Sequence, residues 1–201
     1  KLCSKKGVKL VSNAIRKGCI PVIDQFDSKN EQAKKNLQDI YAIPQLKTIA
    51  FLKPSMLWSV ARSQQSICEI WIVDSIFNRN TKSISLEVEA NFISEYNSQN
   101  VIGVVPGTKY PDSVVIFCGH YDHLGKMGDV IFYGANDNAS GISMLLDMAN
   151  YFIANPQKYS IAFIAFAAEE AGLVGSKFYV DNPLKELPLG KTKFVFNMDL
   201  M

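Results

Sequence analysis

The sequence predicts an α/β fold with a largely parallel central sheet flanked by helices, on three observations. From Asn100 onward, apolar strand-like runs alternate with amphipathic helical ones. The run YSIAFIAFAA is almost wholly apolar, as a strand covered on both faces must be. Acid and imidazole side chains collect where the apolar runs stop, at the strand ends where open α/β sheets bind ligands.

The elements follow in order. VKLVSNAIRKG sets Val8, Val11 and Ile15 on one helical face, with Gly18 as the stop. CIPVIDQF reads as a strand, NEQAKKNLQDIYA as a polar, mostly exposed helix, and IPQLKTIAFL as a strand that Pro54 ends. SMLWSVARSQ has helical spacing, and EIWIVDSIF and SISLEVEANF alternate as strands around the turn NRNT. In the second part NVIGVVPG and SVVIFCG are strands, and GISMLLDMANYF is a helix with Ile142, Leu145, Leu146 and Ala149 on one side. YSIAFIAFAA, a short helix around SKFYVDN and a last strand in TKFVFNMDL complete the alternation. The chain is expected to divide into a small α/β lobe at residues 1–82 and a larger domain at 83–201, whose strand–helix alternation sets in at Asn100.

Composition excludes several classes. The 201 residues are 48% hydrophobic and 20% charged with a net charge of +2, and basic residues form no run. Nucleic acid and anionic surfaces are therefore not expected partners. The apolar runs are too short to span a bilayer core of ~30 Å, so no membrane span is expected. None of Cys3, Cys19, Cys68 and Cys118 forms a CxxC pair, which argues against a cysteine metal site; one disulfide among the first three is compatible with the sequence. Both ends look cut, and no signal peptide is visible.

The chemistry lies at the strand ends. His120 and Asp122 follow SVVIFCG, Asp137 sits in GANDNASG before a helix, Glu169 and Glu170 follow IAFIAFAA, and Asp199 follows FVFNM. Taken singly, each has a plain explanation: a polar loop, a helix cap, a solvated acid pair. Converged on one sheet edge, the carboxylates would repel one another and resist desolvation unless a cation joined them. Mixed His and carboxylate donors suit zinc, with cobalt or manganese as substitutes. In an extended strand Glu169 and Glu170 point apart, so one would ligate while the other acts as general base. Asp122, two residues after His120, is placed to accept the other ring proton of that imidazole. His123 reads as an exposed loop residue.

GHYDHLG, GANDNASG, FAAEEAGLVGS and NMDLM, in this order over residues 100–201, resemble the co-catalytic di-zinc aminopeptidases. Glutaminyl cyclases and non-catalytic receptor ectodomains share that family and stand as alternatives. The resemblance implies that His120, Asp137 and Asp199 hold one zinc, and that Asp137 bridges to a second zinc ligated also by Glu170. It implies Glu169 as general base to a metal-bound hydroxide that attacks a peptide substrate, Asp122 behind His120, and a cis peptide at Asp137–Asn138. The family's second zinc also takes a late histidine, and none follows His123. From that, this chain alone is expected to bind its second metal poorly and to show little turnover. AIRKGCIPVIDQF and AIPQLKTIAFL resemble pieces of a protease-associated domain, against the plainer alternative of a generic α/β lobe, and enzymes with that lobe are commonly exported.

Overall fold

The structure, a computed structural model, describes residues 12–24, 26–56, 60, 63–87 and 91–201. They fall into two compact units, Lys1–Ser94 and Glu95–Met201.

In the first unit a helical stretch at residues 12–16 stops at Gly18, whose φ of +81° favours a residue without a Cβ. Val8 and Val11 lie outside the described residues. Strands β1 (Val22–Ile23), β2 (Thr48–Lys53) and β3 (Cys68–Val73) form a parallel sheet in that order. Helix α1 (Glu31–Tyr41) begins where the Asn30 side chain accepts the Ala33 N–H at 3.0 Å. Ile15, Ile23, Ile40, Ile49 and Phe51 pack the core of this lobe. Cys19 and Cys68 are free and exposed, so no disulfide joins them; Cys3 is outside the described residues.

Two expectations for this unit are corrected or untouched. SMLWSVARSQ lies half outside the described residues, since 57–59 and 61–62 are not described. SISLEVEANF forms no strand at residues 83–87 or 91–92, and 88–90 are not described. Its alternation suits a half-buried strand, but alternation becomes a strand only against a hydrogen-bonding neighbour. Leu86 is exposed, and no strand pairs with this stretch among the described residues.

The second unit is built on β4 (Val101–Val105), β5 (Tyr110–His120), β8 (Tyr159–Phe166) and β9 (Thr192–Asn197), in the sheet order β4-β8-β5-β9. β8, β5 and β9 run parallel, and only the edge strand β4 is antiparallel to its neighbour. Between β5 and the next helix, β6 (Lys126–Met127) and β7 (Val130–Ile131) make a small hairpin. Helix α2 (Ser140–Ala154) and helix α3 (Val174–Asp181) contribute to separate cores.

Strand alternation separates those cores. Val114, Ile116 and Cys118 of β5 pack with Ala162 and Ile164 of β8 and Tyr179 of α3. Ile161 and Phe163, one residue out of phase on β8, pack instead with Leu145 of α2 and Met198. β8 is therefore apolar throughout because both of its faces are covered. On α2 the buried stripe runs through Ile142, Leu145, Met148, Ala149 and Phe152, while the expected Leu146 is exposed. Position 146 lies one residue past Leu145, roughly 100° around the helix, which turns it off the stripe.

Candidate metal centre

Because β5, β8 and β9 are parallel, their carboxyl ends lie on one edge of the sheet. His120 is the last residue of β5, and Asp199 lies two residues beyond β9. Asp137 comes from the loop before α2, and its peptide to Asn138 is cis, as the resemblance implies.

These three side chains meet. His120 Nε2 is 3.0 Å from Asp137 Oδ1 and 3.4 Å from Asp199 Oδ1. Donors ~2.0–2.2 Å from a tetrahedral zinc are roughly 3.3 Å apart, so the set has the chemistry and spacing to hold such a cation. His120 is buried, whereas Asp137 and Asp199 are more open, which leaves the cation position approachable from one side. Burial works against a charged His120 ring. The Asp122 carbonyl and the charges of Glu169, Asp137 and Asp199 outweigh it, so the ring holds its proton above the ordinary range.

Asp122 differs from its expected role in one respect. His120 Nδ1 is 3.0 Å from the Asp122 backbone carbonyl, whereas the Asp122 carboxylate is 3.8 Å away. The carbonyl fixes the tautomer that leaves Nε2 facing the acids. The carboxylate turns to the other strand end, where Oδ1 accepts the Glu169 N–H at 2.9 Å and Oδ2 the Glu170 N–H at 3.1 Å.

Glu169 and Glu170 do point apart, but not by strand alternation. β8 ends at Phe166, and Ala168 takes a left-handed φ of 54°, so both glutamates belong to a turn. Glu169 shares the lining of a cavity of about 510 Å³ with His120 and Asp199, above apolar walls from Ile116, Ile164 and Phe166. Burial raises the pKa of the Glu169 carboxyl, with Glu170, Asp122 and Asp199 adding to the effect and His120 opposing it. Glu170 faces away toward His123, its Oε1 2.8 Å from His123 Nδ1. His123 is thus no exposed loop residue; it is half-buried and, with Asp137 and Glu170, forms a second group able to hold a cation.

The residues that hold this edge together are ones that motif reasoning passes over. Buried Asn138 donates to the Met198 carbonyl at 2.9 Å and more weakly to the His120 carbonyl at 3.4 Å, and accepts the Gly141 N–H at 3.2 Å. One amide therefore ties together the three segments that carry His120, Asp137 and Asp199. Gly141 permits this approach, because a Cβ there would stand 2.4 Å from the Met198 carbonyl oxygen. Asn100 similarly bridges the turn after β8, accepting the Ala167 N–H and donating to the Gly175 carbonyl. An amide or glycine beside acids in a loop was the only available signal, and it is a weak one.

The fold and this edge together define an α/β protein with a candidate two-cation centre at the carboxyl ends of its parallel strands. Residues 100–201 match peptidase family M28, and the chain belongs to that family. It is 39% identical over 122 residues to aminopeptidase YwaD of Bacillus subtilis, covering 60% of this chain and 25% of that one. It is 40% identical over 84 residues to a probable zinc metalloprotease of Pyricularia oryzae, covering 39% and 16% respectively. Among solved structures, the zinc aminopeptidase BSAP from Bacillus subtilis superposes with a TM-score of 0.61 at 30% identity, over 90% of this chain and 44% of that one. The chain thus spans a quarter or less of these two curated relatives.

Proposed function

We propose that the chain carries catalytic machinery of a zinc-dependent aminopeptidase, which hydrolyses the first peptide bond of a peptide substrate. The observation that carries this is the meeting of His120, Asp137 and Asp199 with Glu169 beside them at one sheet edge. The names of the aminopeptidase and zinc metalloprotease relatives support it.

His120, Asp137 and Asp199 would hold a zinc ion, and Glu170 with Asp137 would serve a second. Bound there, zinc supplies a lowered pKa for water and a Lewis acid for the substrate carbonyl. Glu169 takes the proton of the attacking water and returns it to the leaving amine. Its raised proton affinity suits a group that must both accept and give. Asp122 sets the height of Glu169 over the site by holding its backbone N–H. The first unit is assigned as a protease-associated-like lobe, and the protein as exported. No helix among the described residues is long and apolar enough to cross a membrane.

The test is zinc analysis of the full-length protein with an assay on aminoacyl-nitroanilides. Zinc-dependent release, lost on chelation, restored by zinc and absent with N-acetylated substrate, is the expected result. Cyclisation of N-terminal glutamine without nitroaniline release would reassign the protein as a glutaminyl cyclase. Failure to bind zinc would reassign it as a binding module.

A further inference from the structure

We propose that Asn100 is a positioning residue for the general base: its side-chain amide clamps both ends of the turn that carries Glu169 and so sets where that carboxylate stands. This rests on the aminopeptidase reading above and adds to it a residue outside both donor groups.

Three observations carry it. First, a side chain takes over where strand pairing stops. β4 pairs with β8 as far as Val101 opposite Ala165, and beyond that pair Asn100 Oδ1 accepts the Ala167 N–H at 3.1 Å. The same amide donates from Nδ2 to the Gly175 carbonyl at 2.9 Å, at the far end of the turn. A carboxylate in its place could accept but not donate. Secondly, the chain between these contacts is closed on itself around a strained residue. The carbonyls of Ala167, Ala168 and Glu169 accept the N–H groups of Gly175, Val174 and Leu173 at 3.0, 3.0 and 2.8 Å. Gly175 admits this approach, because a Cβ there would stand 2.2 Å from the Ala167 carbonyl oxygen and 2.5 Å from Asn100 Oδ1. Ala168 holds a φ of 54°, which an alanine keeps only where its surroundings impose it. Glu169 is the next residue, so relaxation at Ala168 swings its carboxylate. Thirdly, Asn100 is itself tied to the strand that ends in His120. The Tyr121 hydroxyl donates to the neighbouring Gln99 carbonyl at 2.7 Å, and the Tyr121 N–H to the Phe166 carbonyl at 3.0 Å. The end of β5 thus fixes the turn through Asp122 at Glu169 itself and through Asn100 two residues earlier.

A double-mutant cycle in the full-length protein tests this, with kcat, KM and zinc content read for Asn100→Ala, Glu169→Gln and the two combined. A base displaced by about 1 Å loses up to about 10²-fold in rate, so Asn100→Ala is expected to lower kcat by about 10–100-fold. KM should stay within about twofold and zinc content should not change, since neither substrate binding nor a metal donor is removed. In the Glu169→Gln background the same change is expected to cost less than about threefold, because no base is left to misplace. A role in folding alone reduces the active fraction equally in both backgrounds. Equal losses in the two would therefore overturn the inference, as would an undiminished kcat or a loss of zinc in Asn100→Ala. Where Asn100→Ala does not fold, Asn100→Asp, which keeps the acceptor for Ala167 and loses the donor to Gly175, goes through the same cycle. Its expected loss is smaller, about 3–10-fold, and again vanishes beside Glu169→Gln; no loss, or equal losses, would overturn the inference. Equal losses with a turning-over wild-type protein leave the aminopeptidase reading standing. A wild-type protein without turnover on aminoacyl-nitroanilides overturns that reading and this inference together.

Discussion

The Asp122 carboxylate accepts the backbone N–H of Glu169 at 2.9 Å, so the loop after one strand sets the height of the acid after another. Its second oxygen takes the Glu170 N–H. Hydrogen bonds to a charged acceptor contribute about 1.5–3 kcal/mol each, and this carboxylate is largely shielded from water. Asp122→Ala is therefore expected to lower unfolding stability by about 3–6 kcal/mol in urea melts. Asp122→Asn turns an amide N–H toward one of the two backbone donors and recovers at most part of that. A loss below roughly 0.5 kcal/mol, within the range of ordinary surface changes, would show that the clamp does not hold the turn.

Glu169 and Glu170 leave the same turn in different directions, which separates their expected phenotypes. Glu169→Gln in the full-length protein should reduce turnover by about 10²–10⁴-fold or more, the range of general acid–base contributions, with zinc content unchanged. Glu170→Gln should lower zinc content instead, since Glu170 lies in the second donor group. Metal analysis by mass spectrometry beside the nitroanilide assay tells the two apart; zinc loss in Glu169→Gln would exchange their roles.

Asn138 ties together three ligand-bearing segments, so its removal should reach the metal site without touching a ligand. Asn138→Ala leaves the buried Met198 carbonyl and Gly141 N–H without this partner, at about 1–3 kcal/mol for each group. Gly141→Ala would force a Cβ against the Met198 carbonyl and shift Asp199, costing about 1–3 kcal/mol. Both variants are expected to bind the first cobalt ion more weakly and to melt earlier. A destabilised Asn138→Ala with wild-type cobalt affinity would mean that the amide serves folding alone.

The fold was legible where one physical cause acts at a time. β8 announces itself because two covered faces demand apolar residues at every position, and the acids stand out because they interrupt such runs. SISLEVEANF misled because alternation records a tendency, while pairing depends on what lies alongside. The sequence marks Asp122 as a participant, but the imidazole is held by its carbonyl and not its carboxylate, and spacing along a chain cannot distinguish two acceptors of one residue. The half-buried place of His123 is not legible in the sequence for a related reason. Its partner Glu170 is 47 residues away, and only the turn begun by the left-handed Ala168 brings them together.

Cys118 offers a probe of the same strand edge from within the core. Its thiol is buried, and burial pushes its pKa up to about 11, so near pH 8 it is both covered and protonated. Cys19 and Cys68 are exposed and should alkylate readily under conditions that spare Cys118. The cover over Cys118 includes β9: its sulfur lies 3.6 Å from the Phe196 carbonyl, and its own carbonyl accepts the Met198 N–H at 2.7 Å. Asp199 is the next residue along. A cation gripping Asp199 with His120 and Asp137 must therefore hold the end of β9 against β5, and opening of that strand becomes rarer by the free energy of metal binding. Iodoacetamide labelling followed by peptide mapping should then show Cys118 modified slowly in the metal-free chain and more slowly still with zinc, while Cys19 and Cys68 are indifferent to it. The zinc effect should vanish in His120→Ala, and equal Cys118 rates with and without bound zinc would mean that the metal does not fasten this strand.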